Sequence, residues 1–329
     1  MEIAKALILA GTIGGNHAWP AVAGSRHLFP VGNRPILFHN LEALRAAGIL
    51  EATIFSESGT ADAIERAVGD GRHLGLTVRH AQWTDSDGLL GALAAGRDFL
   101  QGEPVLVEHG DALLQERMHV HISAFARERL DALALRLASN FDRTRQHLTP
   151  GYLLSPRAVS ILLDGGDSGA GPVAQLQASG GRVRVQAVDG CLACHGDVEA
   201  LIESNRRVLE GLETSVDPAS LDSSTVHGAV QVHPTARIRR SLLRGPVIVG
   251  QGATVTDAYI GPYTSIGADV VVEGSEIEHS IVLPRAELRF VGHRLESSVI
   301  GRGARVVRGF DLPATMRVSL GDGAEVVVR

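Results

Sequence analysis

The chain has 329 residues, of which 44% are hydrophobic and 21% charged, a length and balance that allow two globular domains with cores of their own. A formal net charge of -6 argues against nucleic acid as a general partner. No apolar run approaches bilayer-spanning length, the run Ala6 to Ala10 is too short and lacks the basic leader of an export signal, and two cysteines are too few for a disulfide framework, so a cytoplasmic protein without a membrane partner is expected.

In chain order, Ala6 to Leu9 reads as a short strand ending in Gly11, and Gly14 and Gly15 follow in a loop where backbone can approach a ligand closely. Pro30, Pro35 and the turn Gly32-Asn33 precede Ile36, Leu37, Leu41 and Leu44, whose spacing predicts a helix ending at Gly48. Strand, glycine loop and helix in that order open a doubly wound α/β unit. Strands are predicted at Ala52 to Phe55, Thr77 to His80, Pro104 to Val107 and Leu133 to Ala138, with helices around Ala61 to Val68 and Leu89 to Leu100, which implies a mostly parallel sheet covered by helices. The polar, helix-breaking stretch Thr214 to Ser224 reads as a linker, giving an expected division into a domain over 1–213, a linker over 214–228 and a second domain over 229–329. In the second domain, Val249, Val255, Ile260, Ile266, Val272, Ile277, Ile300 and Val306 recur mostly every sixth residue, the pattern of a β-helix with one inward aliphatic per short strand. The basic cluster Arg237, Arg239, Arg240 and Arg244 reads as the exposed rim of a sheet.

The stretch Lys5 to Ile49 resembles the opening of the sugar-1-phosphate nucleotidylyltransferases, especially the long actinobacterial glucose-1-phosphate thymidylyltransferases, with their LAGGxGTRL, lysine loop and PVxNKPI. Gly11, Gly14, Pro30, Val31, Asn33, Pro35 and Ile36 are kept, whereas Thr12, Gly15, Asn16 and His17 depart from the motif, and Arg26, followed by His27, stands in place of the lysine. The segments AQWTDSDGLLGAL and EHGDALL are similar to the family's base-recognition and LGDN segments, which implies nucleobase recognition by Gln82, stacking space at Gly88 and metal binding by Asp111. Further on, Gly190 to Leu209 aligns with GWWLDTGxxxDLLEANRxVL, but Cys194 takes the place of the metal-binding aspartate. The sugar-binding hairpin has no counterpart before Gly151-Tyr152, and the acidic segment near Gly166 to Gly171 has lost most of its carboxylates. RGPVIVGQGA, AYIGPYTSIG and EIEHSIV resemble the family's closing left-handed hexapeptide β-helix, so the likeness covers nearly all of residues 4–329 and implies a Rossmann-like nucleotidyltransferase domain followed by that β-helix.

These departures fall on reactive positions. Nucleotidyl transfer aligns two anionic phosphates and neutralises developing charge with cations and a metal, and Asn16 supplies no cation while Arg26 offers a fork in place of an ammonium. A catalytic role for Arg26 and Asp111, and nucleotide binding at Gly11, Gly14, Gln82 and Gly88, therefore remain expectations of the resemblance. Several replacements are metal-ligand types, and Cys194 and Asp111 with His27, His17 or His195 form a candidate transition-metal set for Zn, Fe or Cu, Mg²⁺ being expected only with family chemistry. Set against this, the histidines can be solvated or packed, and Asp111 can cap a helix. Residues three apart on a strand face opposite ways, which sets Cys191 aside as a partner of Cys194, and CxxCH as a haem site lacks an export context. His279 raises acyl transfer, but nucleotide-transferring relatives carry the same segment, so a structural role is expected. Three function classes remain open: a repurposed pocket for a nucleotide or other small molecule, a regulatory or scaffolding homologue, and ordinary nucleotidyl transfer, each in a homo-oligomer.

Overall fold

The computed structural model describes residues 3–11, 25–82, 88–138, 149–166, 169, 171–192 and 198–308. The N-terminal domain runs β1 (Lys5–Ala10), β2 (Pro30–Val31), β3 (Arg34–Pro35), α1 (Ile36–Ala46), β4 (Glu51–Ser56), α2 (Ser58–Val68), β5 (Thr77–Gln82), α3 (Gly88–Ala95), α4 (Arg97–Leu100), β6 (Val105–His109), β7 (Ala112–Leu114), α5 (Met118–Arg127), β8 (Ala132–Leu137), β9 (Gly151–Leu154), α6 (Pro156–Gly165), α7 (Pro172–Ala178), β10 (Val183–Val188), β11 (Gly190–Leu192) and α8 (Val198–Glu210). Its seven-stranded sheet has the order β10-β8-β9-β6-β1-β4-β5. β9 runs antiparallel to both neighbours and the remaining pairs are parallel.

Strand β1 is buried along its whole length because helices cover both faces, which is why it reads as an unbroken apolar run. Ala6, Ile8 and Ala10 join Leu37, Leu41 and Phe125 on one face, and Leu7 and Leu9 join Leu93, Phe99 and Leu162 on the other. The single helix expected over Leu89 to Leu100 is divided into α3 and α4. A Cβ on Gly96, between them, would lie 3.0 Å from the Ala92 carbonyl and 3.1 Å from Leu7 Cδ1, so close packing on β1 favours a residue without a side chain there.

The C-terminal domain is a β-helix of three parallel sheets, with six, five and five strands among the described residues. Successive turns place Ile238 beside Val255 and Val255 beside Val272, and Val249, Ile260, Ile266 and Ile277 complete the buried interior, as the six-residue spacing predicts. Ile300 and Val306 pack at its end and are only partly buried. Between turns, the Ser241 hydroxyl accepts from the Ala258 amide at 3.1 Å, and the Ser275 hydroxyl accepts from Val291 N at 3.1 Å, so serine side chains help close corners where the backbone leaves the sheets.

The expected linker over 214–228 is corrected by this geometry. β12 (Leu221–Asp222), β13 (Thr225–His227) and β14 (Val230–Val232) pair with the next turn of all three sheets, and Ser215 forms a parallel bridge with Gln231. The polar composition that resembles a linker belongs to the outer surface of the first turn, whose inward contacts are made by Val216, Leu221 and Val226. The arginine cluster lies on the outside, where Arg239 pairs with Asp222 at 3.3 Å and Arg240 with Asp257 at 2.6 Å, in keeping with a solvated rim.

Candidate functional site

The parallel strands β1, β4, β5 and β6 end on one edge of the sheet, the edge at which doubly wound folds hold ligands. Gly11 follows β1, Gln82 ends β5 as an exposed side chain, and the chain after β6 turns through Gly110 to Asp111. Gly88 opens α3 with φ of 52°, and a Cβ built on it would meet nothing within 4 Å, so the space beside it is open.

The turn after β6 is tightly held. The Gly110 amide donates to the Leu9 carbonyl at 2.9 Å and the His109 amide to the Pro150 carbonyl at 2.9 Å. A Cβ on Gly110 would stand 3.1 Å from Ile8 Cγ2, 3.1 Å from Leu37 Cδ1 and 3.4 Å from His27 Cδ2. His27 therefore packs against the turn that presents Asp111, and both side chains are buried, at 2% and 1% exposure. Arg26 and His27 lie on a short 3-10 turn, Arg26–Leu28, whose capping residue Ser25 accepts from the His27 amide at 3.2 Å. Arg26 is half-buried. The helix-cap alternative for Asp111 does not hold, because it precedes strand β7 and the next helix, α5, begins at Met118.

Strands β7 and β11 form an antiparallel pair in which Ala112 faces Leu192 and Leu113 faces Cys191. The register brings Leu192, two residues before Cys194, beside the residue that follows Asp111. Cys191 itself turns to α8, with Sγ 3.4 Å from Ser204 Oγ, and burial pushes its thiol up to about 11.

Glu108, on β6 three residues before Asp111, is a buried acid that the sequence pattern does not single out. It is 3% exposed, and burial pushes its carboxyl up to about 8, a rise opposed by the Asn40 side chain and assisted by Asp111. The signal was a lone acidic residue directly following the apolar run Val105 to Val107.

Of the sequence-predicted set, Gly14, His17, Cys194 and His195 lie outside the described residues. Among the described residues no three His, Cys, Asp or Glu side chains converge to hold a metal ion, and of the candidate set His27 lies against Gly110, the residue before Asp111. His279 occupies a β-helix corner with φ of 47°, 5.8 Å from the Tyr263 ring, with its Nε2 buried; it has a place in the wall of the solenoid. Among the described residues, no helix is long and apolar enough to cross a membrane.

Residues 5–142 match the nucleotidyl transferase family model. A glucose-1-phosphate thymidylyltransferase of Streptomyces griseus is 33% identical over 97% of this chain and 98% of its own length. The chain belongs to the nucleotidyl transferase family. A second glucose-1-phosphate thymidylyltransferase, from Streptomyces antibioticus, is 28% identical over 99% of both chains. The low-salt glycan biosynthesis nucleotidyltransferase Agl11 of Haloferax volcanii is 25% identical over 98% of this chain. A crystal structure of a Bacillus anthracis glucose-1-phosphate thymidylyltransferase in complex with a sucrose superposes with a TM-score of 0.54 at 17% identity, covering 64% of this chain and 97% of that one, which shows the shared nucleotidyl transferase fold.

Proposed function

We propose that this nucleotidyl transferase family member no longer transfers a nucleotidyl group to a sugar 1-phosphate, and that its pocket binds a nucleotide or another small anionic ligand. The observation that carries this reading is a replacement of charge in the sequence: the positions matched to the family arginine and second metal carboxylate are Asn16 and Cys194. In-line transfer between phosphates depends on such charges, and the loss of one stabilising group typically costs about a hundredfold or more in rate. The nearby carboxyl of Glu108 is a poor substitute for the lost charge, since burial pushes it up to about 8 and disfavours its ionised form. Magnesium prefers a shell of oxygen donors, and a pair made of Asp111 and a thiol does not fit it. Gly11, Gln82 and Gly88 stand at or beside the strand ends where doubly wound folds hold ligands, and the space beside Gly88 is open, which supports retained binding.

Thermal-shift titration with dTTP, UTP and hexose phosphates tests the binding half of the proposal. Stabilisation that grows with nucleotide concentration and is weakened in Arg26→Gln is the expected result. No stabilisation by any of them would contradict a small-ligand pocket and favour a scaffolding role.

A transition-metal site is a second reading, supported by the packing of His27 on the Asp111 turn and by the β7–β11 register leading towards Cys194. Metal analysis of protein prepared without a histidine tag tests it. Stoichiometric zinc, iron or copper that is lost in Cys194→Ala is expected on this reading, and a metal-free wild-type protein contradicts it.

A further inference from the structure

The two domains meet across a largely apolar interface. Phe29, Val31 and Ile36, Leu201 of α8, and Ile281 and Leu283 of the β-helix are buried in one cluster. Beside them stands Asn205 of α8, a polar side chain only 1% exposed. Its Oδ1 accepts from the Gly32 amide at 2.9 Å and from Ser265 Oγ at 2.6 Å, and its Nδ2 donates to the Tyr263 carbonyl at 3.1 Å. The neighbouring Asn33 donates from Nδ2 to the Ile266 carbonyl at 2.7 Å. Three bonds therefore join the Gly32–Asn33 turn, α8 and the β-helix through one amide, and a fourth ties the turn directly to the β-helix.

Apolar burial is non-directional and holds two surfaces together without fixing their register. Buried hydrogen bonds do fix it, because a displaced partner leaves a polar group without water or a replacement bond. The turn held here is also shaped for its place: Gly32 has φ of 55°, and a Cβ on it would come 2.6 Å from Val208 Cγ1 of α8. The hairpin β2–β3 carries this constraint back along the chain. The Ile36 amide donates to the Phe29 carbonyl at 3.0 Å, and the Phe29 amide donates to the Arg26 carbonyl at 3.0 Å. One residue on from Arg26 is His27, packed against the Asp111 turn.

We propose that Asn205 is a positioning residue: by pinning the Gly32–Asn33 turn to the β-helix it sets where Arg26 and His27 stand in the candidate site. The β-helix then acts as one wall of the support for that site. Its consequence for ligands rests on the pocket proposed above, but the placement itself can be measured in ligand-free protein.

The experiment is hydrogen exchange on the full chain, comparing wild type with Asn205→Ala and with Asn33→Gly, which keeps the left-handed backbone of Asn33 (φ 61°) and removes only its side-chain bond. Exchange at the Leu28, Phe29 and Ile36 amides is expected to quicken by about tenfold, the effect of losing one or two net hydrogen bonds, while β1 and β4 amides are unchanged. The His27 ring resonance, assigned through His27→Gln, is expected to move in the same variants. If Asn205→Ala does not fold, Ser265→Ala, which removes only the Ser265 bond to Asn205 Oδ1, is measured in its place and decides. Unchanged local exchange with an unmoved His27 resonance would overturn the proposal, as would a uniform rise through the whole N-terminal domain, which is the mark of adhesion only. In the ligand arm, dTTP is expected to bind several-fold more weakly to Asn33→Gly. A wild-type protein that binds neither dTTP, UTP nor a hexose phosphate would end the pocket reading and leave the exchange result to decide this one.

Discussion

Glu108 shows how one residue can tie the sheet edge to pH. Its carboxyl is raised by burial to about 8 from an ordinary 4.5, so the folded chain holds a proton that the unfolded chain releases between those values. Stability therefore falls as pH climbs through that window, at up to about 1.4 kcal/mol per pH unit. Glu108→Gln lacks the titrating proton, and urea unfolding is expected to show it gaining roughly 2–4 kcal/mol on wild type between pH 5 and pH 8. A difference between the two proteins that is independent of pH would contradict the assignment. At this scale the sequence was only partly legible. Asp111 is visible in its GD turn, whereas the burial of Glu108 depends on β9 and α1 packing about β6, contacts between residues distant in the chain.

At the scale of elements, the turn after β6 is set by contact and not by local preference. Gly110 leaves room for Ile8, Leu37 and His27, so Gly110→Ala is expected to cost about 1–3 kcal/mol of stability by overpacking. Chemical denaturation measures that cost, and a neutral substitution would show that His27 does not press on the turn. Apolar periodicity was enough to locate β1, α1, β4, α2 and the β-helix strands, because each carries its pattern within a few residues. It was not enough to find the break at Gly96, which follows from contact with Leu7 on β1, or the first β-helix turn, whose outward polar residues look like a linker. The reversed direction of β9 likewise rests on pairing with β6 and β8.

For the whole molecule, the shared cluster around Phe29, Leu201 and Leu283 makes the β-helix part of the environment of the N-terminal domain. Phe29 is fully buried there, and Phe29→Ala is expected to remove about 3–5 kcal/mol. Calorimetry is expected to show the loss in the unfolding of both domains, and a change confined to one of two separate transitions would contradict a coupled interface. The comparison of whole chains matches a thymidylyltransferase along 97% of this protein's length, so the scaffold is shared, and the proposal above is that the charges at its reactive positions are not. That contrast is the central claim, and pyrophosphate release from dTTP with glucose 1-phosphate and Mg²⁺ tests it most directly. No release above the protein-free background is expected from the wild-type chain, and sustained turnover by it would contradict the account.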